Sequence, residues 1–306
     1  MSRERFRKLK PHVSERTITT YVTNIKRLRK IDKNLEYGPI SQYLKTMKPQ
    51  AGANLLTAVI VLEGHDRFGK LYKTLNQEAE SVRYAQKFTD REYNNWVTVR
   101  QIREGIRRAK FDVDRLNALK PVKHKRPTIT TLIQYLLLNM YQELHWRSDA
   151  VSIKVGKHTG ENYFHDGKFY LNKFKTSRKF KQRGLLPVVY TPSRSLGKLI
   201  KQYLAVREAQ GVDHDYFLIT RALKPIKRSA FFEIMTRATF RYVGKKLSTS
   251  MLRHIYATHF LASNPSLIDK KKFLHGMMQL NLDTFESYAR RIDGKLAANP
   301  EKNDGI

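Results

Sequence analysis

The sequence predicts a mainly α-helical chain with one small antiparallel β-sheet: an all-helical N-terminal domain, then an α+β domain. Three observations carry this. Apolar residues recur at helical spacing through the first hundred positions with no strand pattern among them. A basic segment bracketed by two prolines, Lys120-Pro121-Val122-Lys123-His124-Lys125-Arg126-Pro127, then interrupts the pattern. After one further amphipathic helix the period changes from 3.6 to 2, and it later returns to 3.6.

Residues 1–12 read as a basic arm ending near Pro11. Ser14 reads as a helix N-cap with Glu15 in the first turn, and Ile18, Tyr21, Val22, Ile25 and Leu28 form one helix face. Lys26, Arg27, Arg29 and Lys30 lie opposite. Tyr37-Gly38-Pro39 reads as a turn. Helices are expected over 41–47, 50–63, 67–87 and 90–109. These make a helical domain over 13–119, and 120–127 reads as an extended charged linker.

Ile129, Leu132, Ile133, Leu136, Leu137, Met140 and Tyr141 then keep the cleanest helical spacing in the chain, a core stripe rather than a ligand box. Val151 to Val155 alternates as a strand. Tyr163 to Lys173, folded about Asp166-Gly167, reads as a hairpin, and Leu185 to Tyr190 as another strand. Thr191-Pro192 reads as the start of a helix continued by Leu196, Leu199, Ile200, Tyr203 and Leu204. Everything from Ser229 onward reads as helical, with breaks near Gly244, Asn264-Pro265 and Gly276. The second domain therefore spans 128–306.

Composition narrows the function. In 306 residues, 59 Lys+Arg face 27 Asp+Glu, a formal net charge of +32. The 16 Tyr and 15 Phe argue for a folded core rather than a disordered polycation. Such a surface suits a polyanion, and double-stranded DNA is the expected partner. No run of apolar residues is long enough to span a bilayer, and the first residues lack a signal-peptide core, so the expected location is inside the cell, at DNA. Cysteine is absent, which excludes disulfides, thiolate zinc sites and a cysteine nucleophile. No glycine-rich phosphate loop appears, and no acidic cluster has two-metal nuclease spacing. His254 and His259 are five positions apart and do not share a helix face. Neither a cofactor nor a metal is expected.

Four segments remain. Leu144-His145-Trp146-Arg147-Ser148-Asp149 follows the long apolar helix. Leu171-Asn172-Lys173-Phe174-Lys175-Thr176 lies at a strand end. Ser250-Met251-Leu252-Arg253-His254-Ile255-Tyr256-Ala257-Thr258 opens a late helix. Leu282-Asp283-Thr284-Phe285-Glu286-Ser287-Tyr288 places a tyrosine 35 positions after Arg253. Taken alone, Tyr288 is one tyrosine of many, Arg253 a surface cation, Arg147 a helix C-terminal cation, and Lys175 one of several phosphate-contacting lysines beside Lys173, Lys179 and Lys181. His254 reads as a packed histidine rather than an acid or base.

In this order and spacing the segments resemble those of the tyrosine recombinases, the phage-type integrase family. Leu252-Arg253-His254 with Tyr256-Ala257-Thr258 is similar to the second arginine box, Tyr288 to the nucleophile, Lys175-Thr176 to the hairpin lysine, and Ser14 to Tyr21 to the entry of the core-binding domain. Asn95-Trp96-Val97 and Met251 look closest to the divergent integrases of virophages and large DNA viruses. The chain departs from the family pattern in three places. Ser250 stands where a histidine is usual, Gln279 where a histidine or tryptophan is usual, with His275 four residues earlier, and Ala150 where an acid is common, with Asp149 one earlier.

The resemblance implies a site-specific recombinase or integrase. Its catalytic set would be Tyr288, Arg147, Arg253 and Lys175, with Ser250, His275 and Gln279 as supporting positions. It would cut and rejoin strands through a 3′-phosphotyrosyl intermediate without metal or ATP, as a homotetramer on paired DNA sites. If viral, it would act in the host nucleus or cytoplasm. Two other readings share the residues: a type IB topoisomerase-like relaxing enzyme, and a DNA-binding relative inactivated through Ser250 and Gln279. A free segment from Ile292 onward would favour assembly with neighbouring copies.

Overall fold

The computed structural model describes residues 3–279 and 285–297. The chain divides into two compact units, 1–85 and 86–306. The units part earlier than the 120–127 segment read as a linker. The reason is that α7 (Val99–Arg115), assigned by sequence to the first domain, packs against α8 (Arg126–Glu143) and α11 (Arg228–Val243). Gly105 is what lets α7 and α11 touch: a Cβ there would stand 2.6 Å from Val243 Cγ2 and 2.9 Å from the Tyr242 carbonyl oxygen.

Among the described residues of the first unit the regular elements are all helices: α1 (Arg3–Leu9), α2 (Glu15–Arg29), α3 (Tyr37–Lys45), α4 (Pro49–Glu63) and α5 (Gly69–Tyr84). The residues read as a basic arm begin with a helix, because Phe6 gives that segment an apolar anchor. Phe6 is fully buried with its ring 5.4 Å from that of Tyr21, and Arg7 donates to Glu15 at 2.7 and 2.9 Å. Ser14 caps α2, accepting from Thr17 N at 3.2 Å. Ile18, Ile25 and Leu28 are buried, and Lys26, Arg27, Arg29 and Lys30 are exposed.

In the second unit, the helix expected over 90–109 is two helices. Thr89 and Thr98 each close a capping box, with Glu92 and Gln101, so α6 (Asp90–Asn95) ends and α7 starts afresh. α8 carries the buried stripe from Ile129 to Tyr141. The sheet has four strands in the order β1 (Ile153–Val155), β2 (Asn162–His165), β3 (Lys168–Leu171), β4 (Val188–Tyr190). The sheet is mixed rather than purely antiparallel. β2–β3 and β3–β4 are antiparallel, but β1 pairs parallel to β2, Ile153 opposite Asn162. A short helix α9 (Ser177–Gln182) lies between β3 and β4. α10 (Arg194–Ala209) begins after Ser193, which caps it, rather than at Pro192.

Gly244, in the left-handed region at φ 83°, ends α11. α12 (Thr249–Ala262) and α13 (Leu267–Lys272) follow. One widened turn, Phe273–Met278, leads to Gln279, a non-glycine residue at φ 52°. The last described segment is not a helix as expected. A single tight turn, Glu286–Tyr288, precedes a two-stranded hairpin, β5 (Arg291–Ile292) and β6 (Lys295–Leu296). Asp293-Gly294 at φ 48° and 77° makes its reverse turn. Among the described residues no helix is long and apolar enough to cross a membrane.

Candidate active site

Three segments of the second unit meet at Tyr288: the turn after α8, the start of α12 and the segment that carries the tyrosine itself. Leu144 ends α8 in extended backbone, and the chain turns sharply through His145, Trp146 and Arg147. That turn is held from inside. Trp146 is fully buried against Phe169 of β3, and its Nε1 donates to the Gly276 carbonyl at 3.3 Å. The Tyr141 hydroxyl donates to the Arg147 carbonyl. Arg147 is thereby aimed at the nucleophile candidate, and its Nη2 donates to the Tyr288 hydroxyl at 3.2 Å.

Arg253 arrives from the first turns of α12. It is 1% exposed, and burying a charged side chain is costly unless hydrogen bonds compensate, which both Nη atoms find. Nη1 donates to the His145 carbonyl and Nη2 to the Met278 carbonyl at 3.0 Å, and the guanidinium carbon lies 5.1 Å from the Tyr288 ring centre. Arg253 therefore ties the Arg147 turn, the widened turn and the Tyr288 segment together. Its own pKa is lowered by burial, against the raising effect of Tyr288.

Burial of the Tyr288 ring pushes its phenol up. The positive charges of Arg253 and then Arg147, with their hydrogen bonds, outweigh this and hold it below the ordinary value near 10. A phenol near two guanidinium groups is a better nucleophile at neutral pH than an isolated one. Beneath it, His145 stacks on Tyr256 with ring centres 4.2 Å apart, and burial holds its imidazole down at about 3, so it stays neutral beside Arg253. Burial raises Asp149 despite Arg147 and Arg253 nearby.

Several buried polar atoms here find no partner among the described residues: Arg147 Nη1, Arg253 Nε, Asp149 Oδ2, and both amide atoms of the fully buried Gln279. An unpaired buried donor costs about 1–3 kcal/mol. The donors among these groups are of the kind an anion's oxygens would satisfy.

Lys175 stands exposed in the loop between β3 and α9. The loop is pinned at its start by buried Asn162, whose Oδ1 accepts from Asn172 N and Lys173 N at 2.8 Å each. It is pinned at its end by Thr176, whose hydroxyl donates to the Gln279 carbonyl at 2.9 Å. Since Gln279 follows Met278, which Arg253 holds, the Lys175 loop abuts the arginine site.

The remaining candidates sit differently. Ser250 is exposed in the first turn of α12, between buried Thr249 and Met251. His275 is exposed, with its ring 5.6 Å from that of Phe180. Leu282, Asp283 and Thr284, read as part of the nucleophile segment, lie outside the described residues, as do residues 298–306.

The start of the expected free tail is docked in place. The Arg291 N–H donates to the Gln86 carbonyl at 3.0 Å, and Trp96 Nε1 to the Ala297 carbonyl at 3.1 Å. Sequence reasoning missed Gln86, Glu92 and Arg290. Glu92 carries a local signal, its capping box with Thr89, but that signal says nothing of its ion pair with Arg290, which spans 198 positions.

No family model matches the chain, and no curated protein matches it. Among solved structures, one titled as the crystal structure of XerA recombinase is similar over 98% of this chain and 96% of its own. The identity is 13% and the TM-score 0.47, a likeness too distant to assign family or activity.

Proposed function

We propose that the chain is a tyrosine recombinase that cleaves and rejoins double-stranded DNA through Tyr288. The observation that carries this reading is the Arg147–Tyr288 contact at 3.2 Å with buried Arg253 against the same ring. A phosphate held by Arg147 lies within reach of the Tyr288 oxygen.

In the proposed reaction the two arginines hold the non-bridging oxygens of the scissile phosphate and offset the charge of the pentacoordinate transition state. Planar, permanently charged guanidinium groups suit that task better than amines. The Tyr288 oxygen, its proton lost to solvent water, attacks phosphorus in line. The bond from phosphorus to the 5′ oxygen breaks, and that oxygen takes a proton from Lys175. The product is a 3′-phosphotyrosyl ester and a free 5′ hydroxyl. Attack by a 5′ hydroxyl from a second strand reverses the step, releases Tyr288 and needs no nucleotide hydrolysis. Gln279, whose amide is unpartnered, would donate to the phosphate where the family pattern has histidine or tryptophan. Ser250 and His275, both exposed, would act only once DNA covers them.

The +32 net charge and the exposed basic face of α2 support DNA as the partner. Strand exchange requires paired sites, so the working assembly is a homotetramer on two duplexes, acting wherever the target DNA resides. Trapping on a nicked duplex, from which the cleaved 5′ fragment diffuses away, tests the reading. A covalent adduct supports it. DNA binding without an adduct from the wild-type chain reduces the protein to a DNA-binding relative, and relaxation of supercoiled DNA lacking a defined site makes it a topoisomerase.

A further inference from the structure

His254 touches Tyr288 twice. Its ring stacks on the phenol ring, centres 5.0 Å apart and planes 27° from parallel, and its Nδ1 lies 2.7 Å from the Tyr288 carbonyl oxygen. A carbonyl oxygen only accepts, so Nδ1 carries the hydrogen. Nε2 is then an acceptor, and Arg290 Nη2 stands 3.3 Å from it. Burial, with the Arg290 charge, holds this imidazole down at about 4, so the neutral tautomer this pattern requires is the one present at neutral pH.

Arg290 is fixed in turn. Its Nε and Nη2 donate to Glu92 Oε1 at 3.2 and 2.7 Å, and its Nη1 to the carbonyls of Ser287 and Ala289 at 3.2 and 3.0 Å. Glu92 uses its other oxygen, Oε2, to accept from the N–H and hydroxyl of Thr89, both at 3.0 Å, which closes the cap of α6. The side chains of Glu92, Arg290 and His254 are 14%, 12% and 17% exposed.

A largely buried ion pair is weak grounds for a stability role, because desolvation offsets much of its Coulombic gain. What this chain achieves is geometric. A helix cap fixes a carboxylate, the carboxylate a guanidinium, the guanidinium an imidazole, and the imidazole both the main chain and the ring face of Tyr288. The hydroxyl end is left to Arg147 and Arg253. We propose that Glu92, Arg290 and His254 form a positioning relay that seats Tyr288 for in-line attack, which makes α6 part of the nucleophile's support. The proposal rests on Tyr288 being the nucleophile. Misplacing an attacking atom by about 1 Å can cost on the order of 100-fold in rate.

The test uses the full chain with His254→Ala, His254→Asn and Glu92→Gln, and two independent readouts. The first is hydrogen exchange of the free protein at the Ala289, Arg290, Arg291 and Ala297 amides, which donate to Glu286, Thr258, Gln86 and Arg290 respectively. The second is the single-turnover rate of covalent adduct formation on a nicked duplex, with DNA affinity measured alongside.

His254→Ala is expected to speed exchange at those amides by at least about tenfold, leaving α8 as protected as before. It should slow adduct formation by at least about tenfold with affinity within about twofold. Asn places an N–H near the position of Nδ1, so His254→Asn restores most of both. Glu92→Gln keeps the cap but loses the charge and falls between. Wild-type exchange and rate in His254→Ala overturn the proposal. So does faster exchange across the whole unit, α8 included, or no recovery in His254→Asn. Should the wild-type chain form no adduct, or Tyr288→Phe form it normally, the nucleophile reading fails. The exchange pattern then decides on its own whether the relay seats residue 288.

Discussion

Arg147 donates a hydrogen bond to the phenolic oxygen of Tyr288 at 3.2 Å across 141 positions of chain. The bond joins the turn after α8 to the turn before the terminal hairpin. On the proposed reading, it sets a cation beside the scissile phosphate and a nucleophile within reach of it.

Arg147→Ala is expected to lower strand cleavage by at least about 100-fold, the scale of losing one transition-state donor. Arg253→Ala should lose at least as much. It should also lower thermal stability, because it leaves the His145 and Met278 carbonyls without the donors that join three segments. Near wild-type cleavage by either variant in a single-turnover assay would make that arginine peripheral.

The lowered Tyr288 phenol makes the cleavage rate pH-dependent in a stated direction. The phenolate fraction rises with pH, so the adduct rate should climb and level off with a midpoint below 10. Removing the Arg147 charge takes away one of the influences that lower the phenol, so the Arg147→Ala midpoint should move to higher pH. A midpoint unchanged or lowered would contradict the electrostatic account.

Gly105 makes a packing prediction that propensity alone would reverse. Alanine in a helix interior is favoured over glycine by about 1 kcal/mol. Here the added methyl meets Val243 at 2.6 Å and main chain at 2.9 Å. Overpacking of this kind costs about 1–3 kcal/mol, so Gly105→Ala should lower the melting temperature. A rise would show that α7 and α11 have room to separate.

Phe6 predicts that the N-terminal residues are structural. Phe6→Ala is expected to cost roughly 3–5 kcal/mol, as full burial implies, and urea unfolding of the chain measures it. An unchanged transition would return these residues to the role of a loose basic arm.

The sequence was most legible where the signal is local and periodic. The stripe from Ile129 to Tyr141 named α8, and Ser14 named the start of α2, because a helix face and its cap are written within a few positions. The direction of β1 was not legible. Alternation in Val151 to Val155 marks a strand but carries nothing about whether its partner runs parallel, and the partner register is set by tertiary packing. The split of α6 from α7 was legible in principle, through Thr98 and Gln101, but the apolar spacing across Trp96 and Val97 masked it. The terminal hairpin was announced by Asp293-Gly294 and overridden by the helical period before it. In the site, Arg253 and Tyr288 were singled out by the resemblance of their segments to the tyrosine recombinase boxes, and the fold brings the two side chains together. The Glu92–Arg290–His254 chain was not, since its members come from segments that meet only in the folded unit.

The most direct test of the account is mass-spectrometric mapping of the adduct trapped on a nicked duplex. The account predicts a DNA 3′-phosphate esterified to Tyr288, formed by the wild-type chain and absent from Tyr288→Phe, which should still bind the same duplex with nearly unchanged affinity. An adduct on any other residue, or one that survives in Tyr288→Phe, would contradict it.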